Sequence, residues 1–417
     1  MLKPAFTYSE KMPLYIKRLI LFTALVLLFS AEILRVYFVM PFPGSQVSNT
    51  LSYAYRLEQF IFWIRIFAWI LLGFALILVF KNGKVWEKIF LPLLVILYAV
   101  VFFFFNFRLQ AENIFRQPVN KSFTVASHSE MEKSKLIIGV VINGQAKAYP
   151  IQLIGYHHQV MDTIGNTPVM ITYCTVCRSA RVYSPIVHGK AESFRLVGMD
   201  HFNAVFEDAT TKSWWQQASG KAIAGPLKGY VLKEFPSTQL TWDAWLRQYP
   251  ASVVMKPDPL FMDNYFKLED YDKGTMQSSL VRRDVLSWEP KSWVVGVTNN
   301  LSSKAYDWNE LLQNKIIQDS VDRLPILLTI EKDSTSFHVY DRRVNNYTLS
   351  FQITGNNDLL LDDNTHSTWN MDGHCIDGAL KGNKLQTVQS YNEFWHSWQN
   401  FHDKSKIYVG SLTVAKK

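Results

Sequence analysis

Pro168-Val169-Met170-Ile171-Thr172-Tyr173-Cys174-Thr175-Val176-Cys177-Arg178-Ser179-Ala180-Arg181-Val182-Tyr183 reads as two apolar, strand-like halves around a short turn. Shifted by 157, it lies on residues 325–340, and the match extends without a gap back to Gly139 and Gly296. Twelve of the 45 paired positions are identical, against about three expected from ordinary residue usage. Lys147-Ala148-Tyr149 falls on Lys304-Ala305-Tyr306, Asp162 on Asp319 and Thr172 on Thr329. At a shift of 153, Gly225, Leu227, Lys228 and Gly229 meet Gly378, Leu380, Lys381 and Gly382, and Trp242 and Trp245 meet Trp395 and Trp398. Two copies are too few for a solenoid, so the expectation is a duplicated, pseudo-symmetric pair of β-rich lobes.

Within the first copy, residues 139–149 read as a strand stopped at Pro150, and residues 151–163 as a helix. Residues 168–184 form the paired strands and 193–197 a further one. Thr241 is placed to N-cap a helix bearing Trp242, Trp245, Leu246 and Tyr249, halted by Pro250. These tryptophans read as core anchors. The mixture is α+β.

Ahead of the lobes lie three apolar runs, residues 19–40, 60–80 and 89–107. Each is about 20 residues, enough to cross a bilayer as helix. The first is too long for a signal peptide and lacks a small-residue cleavage site. Glu32 and Arg35 stand three apart and are expected to pair on one helix face. Lys3, Lys11, Lys17 and Arg18 precede the first run, and Lys81, Lys84 and Lys88 separate the second from the third. Between the first and second there is only Arg56. This asymmetry puts the amino terminus in the cytoplasm and the lobes outside it. The divisions expected are a three-helix transmembrane region over 1–109, a linker over 110–135, a first lobe over 136–256 and a second over 257–417.

The net charge of +8 belongs to the membrane region: residues 1–121 hold 13 Lys and Arg against 5 Asp and Glu, and the remainder holds 30 of each. The lobes therefore lack the positive field of a nucleic-acid binder; the bilayer is an expected partner, and the sequence names no protein partner.

Cys174 and Cys177 stand at the tip of the expected hairpin, where the other copy has Glu331 and Ser334. Only the first lobe carries thiols there. Two thiols at this spacing can close a disulfide, exchange electrons or grip a soft metal. Outside the cytoplasm they tend to oxidise, yet a hairpin disulfide closes only a short loop and stabilises little. A thioredoxin-like pair lies between a strand and a helix, whereas a hairpin tip is closer to a metal knuckle. His157, replaced by Asn314 in the other copy, is the expected third ligand. His201 is a fourth ligand or a base. Thiolates with imidazole suit zinc or copper(I). Arg178 and Arg181 flank the pair and are either surface residues or cations that acidify the thiols. Cys375, beside His374, is peculiar to the second lobe and reads as an inert buried thiol. No phosphate-cradling loop, dinucleotide fingerprint or serine nucleophile elbow is present.

Lys147-Ala148-Tyr149-Pro150, His157 with Asp162, Pro168-Val169 leading to Thr172-Tyr173-Cys174-x-x-Cys177, Ser213-Trp214-Trp215-Gln216 and the Gly220–Gly229 stretch together carry a resemblance. The chain resembles the bacterial domain of unknown function three-one-seven-nine family over residues 139–409. That resemblance implies a domain often anchored by amino-terminal spans, hence an integral protein of the bacterial cytoplasmic membrane. Where the family usually has Cys-Pro-x-Cys and a small residue, this chain has Thr175 and Arg178. The family name implies no activity, so three classes remain open: a soft-metal site, a thiol–disulfide enzyme, and a structural or interaction module with a plain disulfide.

Overall fold

The computed structural model describes residues 12–82, 84–300, 302–355 and 359–410. Three helices, α1 (Leu14–Tyr37), α2 (Leu51–Asn82) and α3 (Val85–Phe103), are long and apolar enough to cross a membrane. Their charges pair between helices. Glu32 accepts from Arg65 and Asn106 at 2.7 Å and from Tyr98 at 3.0 Å, while Arg35 binds Glu58 and Asn106. Glu32 and Arg35 thus both reach across the bundle, where a buried charge gains more partners than one neighbouring turn can offer. Arg18 meets Glu87 at 2.8 Å, so the start of α1 lies beside the Lys81–Lys88 corner. Lys3 and Lys11 lie outside the described residues.

The expected linker is ordered structure. A short helix, α4 (Ala111–Ile114), is followed by β1 (Phe123–Val125), which forms the edge of a five-stranded sheet. Asp258 holds the intervening chain by accepting from Val119 N and Asn120 N. The single strand expected over 139–149 is a hairpin, β2 (Leu136–Ile142) and β3 (Gln145–Pro150), turning at Asn143-Gly144 with both residues at positive φ. The helix expected over 151–163 stops early: α5 covers Ile151–His157, His158 turns left-handed at φ +62°, and β4 (Gln159–Ile164) follows. β4, β5 (Thr167–Cys174) and β6 (Ser179–Tyr183) form one antiparallel sheet. Thr241 caps α6 (Trp242–Gln248), its hydroxyl accepting from Ala244 N. Residues 257–285, expected to open the second lobe, instead supply Phe261, Tyr265, Tyr271 and Val281 to the core of the first; α7 (Met262–Phe266) lies among them.

The element order then recurs. Strands Trp293–Asn299 and Ser302–Asp307, helix α8 (Trp308–Asn314), and strands Ile316–Val321, Leu324–Ile330 and Phe337–Asp341 follow one another as β2 to β6 do. Helix α9 (Trp395–Phe401) stands where α6 does, after strand Ser390–Phe394. Local contacts match as well. Tyr149 Oη donates to Asp162 at 2.6 Å and Tyr306 Oη to Asp319 at 2.9 Å. Trp215 Nε1 donates to Asp208, and Trp369 Nε1 to Asp362, both at 2.9 Å. The three apolar helices and this strand-rich, helix-bearing domain make the protein α+β.

The domain is seated on the α1–α2 loop, residues 38–50. Met199 N donates to Val39 O at 2.7 Å. A Cβ on Gly198 would lie 2.2 Å from that oxygen, so only glycine permits the approach. Arg195 reaches Glu58, Glu112 and Glu207, tying strand Phe194–Asp200 to α2 and α4.

Candidate functional site

β5 and β6 pair Tyr173 with Ala180 and Cys174 with Ser179, so Thr175 to Arg178 form the hairpin turn. Arg178 closes it at φ +57°, a left-handed conformation that favours glycine. Cys174 and Cys177 are brought together inside this turn as free, fully buried thiols. Both sulfurs lie 3.3 Å from the carbonyl oxygen of Phe202. That residue belongs to the turn between strands Phe194–Asp200 and Asn203–Asp208, and its own N–H donates to Gln46 Oε1 of the α1–α2 loop at 3.2 Å.

The two thiols differ in acidity. Burial opposes ionisation of Cys174, but donation from the Cys177 thiol and from the N–H groups of Ala204 and Cys177, with Lys291 nearby, brings its pKa below the ordinary thiol value. Burial, and then the bond to and charge of Cys174, push Cys177 well up. Lys291 Nζ donates to Val176 O at 2.7 Å and lies 3.0 Å from His396 Nε2. Burial lowers Lys291 to about 8, partly offset by the thiol charges. Burial, and then Lys291, lower His396 to about 4. A cavity of about 360 Å³ opens over Phe202, Lys291, His396 and His201. His201 is held by Asp200 at 2.8 Å, which raises its pKa.

Arg178 and Arg181 are not surface residues: both are buried and clasp the second lobe. Arg178 donates to Asn392 Oδ1 at 2.6 Å and stacks 3.8 Å from the Trp293 ring. Arg181 pairs with the fully buried Glu393 and lies 3.6 Å from the Tyr391 ring. Phe394 N donates to Cys177 O at 2.9 Å, completing the seam.

His157 is placed elsewhere. It sits on the last turn of α5 with Nδ1 on Arg116 O and Nε2 2.7 Å from Tyr265 Oη. Both ring nitrogens are occupied by other partners, so a ligating nitrogen would first have to give up its own. Cys375 packs in the second-lobe core, its sulfur 3.3 Å from Asp377 O. Sequence reasoning missed Gln46, Phe202, Lys291 and His396. They come from four separate segments with no shared spacing, and nothing in the repeat links them to the thiols.

The family model described as a protein of unknown function, DUF3179, matches residues 116–405. The chain belongs to the DUF3179 family. No curated protein and no solved structure matches it. The DUF3179 region thus begins in the ordered stretch ahead of β1 and takes in both lobes, including the thiol turn and the residues of the second lobe that brace it.

Proposed function

We propose that this is a membrane-anchored soft-metal site, with Cys174 and Cys177 as the ligands and the domain facing away from the cytoplasm. The observation that carries the reading is the convergence of both sulfurs on one side of the hairpin turn, with N–H donors on Cys174 and a lysine at the turn. Backbone donors and a nearby cation offset the negative charge that two thiolates would otherwise bring into a buried site. Zinc is usually held by four donors. Two sulfurs alone suit copper(I) better, since thiolates select it and it tolerates few ligands. His157 joins the set only if one of its ring nitrogens exchanges its present partner, Arg116 O or Tyr265 Oη, for the metal. The sidedness rests on Lys81, Lys84 and Lys88 lying at the end of the bundle opposite the domain.

Thiol–disulfide exchange is the second reading, favoured by the opposed acidities of the two thiols. One experiment separates them. Full-length protein is purified in detergent without chelator, and metal content and free thiols are counted. The expected result is about one copper or zinc per chain, lost in Cys177→Ser. A metal-free protein that cycles reversibly between dithiol and disulfide would replace the first reading with the second.

A further inference from the structure

The second lobe holds no thiols at its own hairpin tip, but it holds other ligands. Glu331 occupies the place of Cys174, at the end of strand Leu324–Ile330. His338 lies on the returning strand Phe337–Asp341, and Asp372 follows strand Thr368–Asn370. One ligand atom from each lies within 4.8 Å of the others. Glu331 Oε1 is 2.8 Å from His338 Nε2, which is 4.0 Å from Asp372 Oδ1. Ligands bonded at about 2.1 Å to one ion stand about 3 Å apart when adjacent and about 4 Å when opposite, so these three atoms need only small shifts to share a cation.

Their surroundings fit a binding site better than a surface acidic patch. Glu331 and His338 are buried, and Asp372 is 17% exposed. The outer shell is built: Arg247 of α6 holds the other oxygen of Glu331, and Gln248 donates to Asp372 Oδ1 at 3.1 Å. Such partners orient metal ligands. The group opens onto a cavity of about 630 Å³ between the lobes, with Lys133 and Lys332 on its wall.

We propose that Glu331, His338 and Asp372 form a second cation site, for a divalent ion of hard to borderline character. Two carboxylates and an imidazole are the donor types such an ion takes. The ion takes the place of the proton on Nε2 that otherwise bridges to Glu331. Three protein ligands leave coordination positions open toward the cavity.

The test uses full-length protein in detergent with Cys174→Ser/Cys177→Ser, so that the thiols contribute nothing and failure of the soft-metal reading is separately visible. Manganese(II), which avoids thiolates, is titrated and bound ion read by electron paramagnetic resonance. One ion per chain is expected. Asp372→Asn, which preserves shape, and His338→Gln should each weaken binding tenfold or more while the melting curve without metal stays in place. Binding unchanged in Asp372→Asn, or no binding at millimolar manganese or zinc, overturns the proposal.

Discussion

Arg178 shows how one side chain can hold a backbone conformation that does not suit it. A non-glycine residue in the left-handed region costs about 1 kcal/mol, and here the ring of Trp293 and the amide of Asn392 offset it. An arginine at this left-handed position thus has a physical account that no reading of the turn alone supplies. His158 carries a different consequence. Burial lowers its pKa to about 4, and its Nε2 has no partner among the described residues. Between pH 6.5 and 4 the unfolded chain takes up a proton there that the folded chain refuses, so stability falls as pH drops through that window. The loss from this residue is about 3 kcal/mol. His158→Asn, a residue that tolerates the left-handed backbone, should show a smaller drop in melting temperature between pH 7 and 4.5. An identical drop would place the acid sensitivity elsewhere. His157 was read as a ligand because it changes with the thiols between copies. Its actual partners, Arg116 and Tyr265, are remote in sequence, and nothing local points to them.

Among the elements, the paired packing of glycine and tryptophan is the most exposed to test. A Cβ on Gly139 would lie 2.3 Å from the Trp245 ring, and one on Gly296 would lie 2.0 Å from Trp398. Gly139→Ala and Gly296→Ala should each cost about 1–3 kcal/mol by overpacking, read as lower melting temperatures of similar size; a neutral result in either would mean that α6 or α9 moves aside freely. Both glycines and both tryptophans were visible in the repeat, so the strand–helix frame was legible. The hairpin at the thiols and its polar counterpart at Glu331 were legible too, through alternation and the contrast of turn residues. The β2–β3 turn was not, although Asn143-Gly144 is a strong hairpin signal; the apolar residues on both sides blurred into one run. The early end of α5 was hidden because Val160 and Met161 continue an apolar pattern that fits helix or strand alike.

For the molecule as a whole, the spans were legible from length and apolar character, and their mutual ion pairs were not, because sequence separation says nothing of which helix faces meet. Sidedness gives a clear expectation: a reporter active only outside the cytoplasm, fused after Lys417, should be active, and a cytoplasm-only reporter should be silent. The reverse pattern would place the thiol turn in a reducing compartment and remove the motive for protecting it with metal. The seat of the domain on residues 38–50 has a further consequence. Val39 and Gln46 brace the strand and turn that cap the thiols, so the thiol turn keeps a fixed height and bearing over the helix bundle instead of sweeping a volume on a tether. Whatever reaches the thiol turn therefore meets it at one distance and one approach angle from the helix bundle.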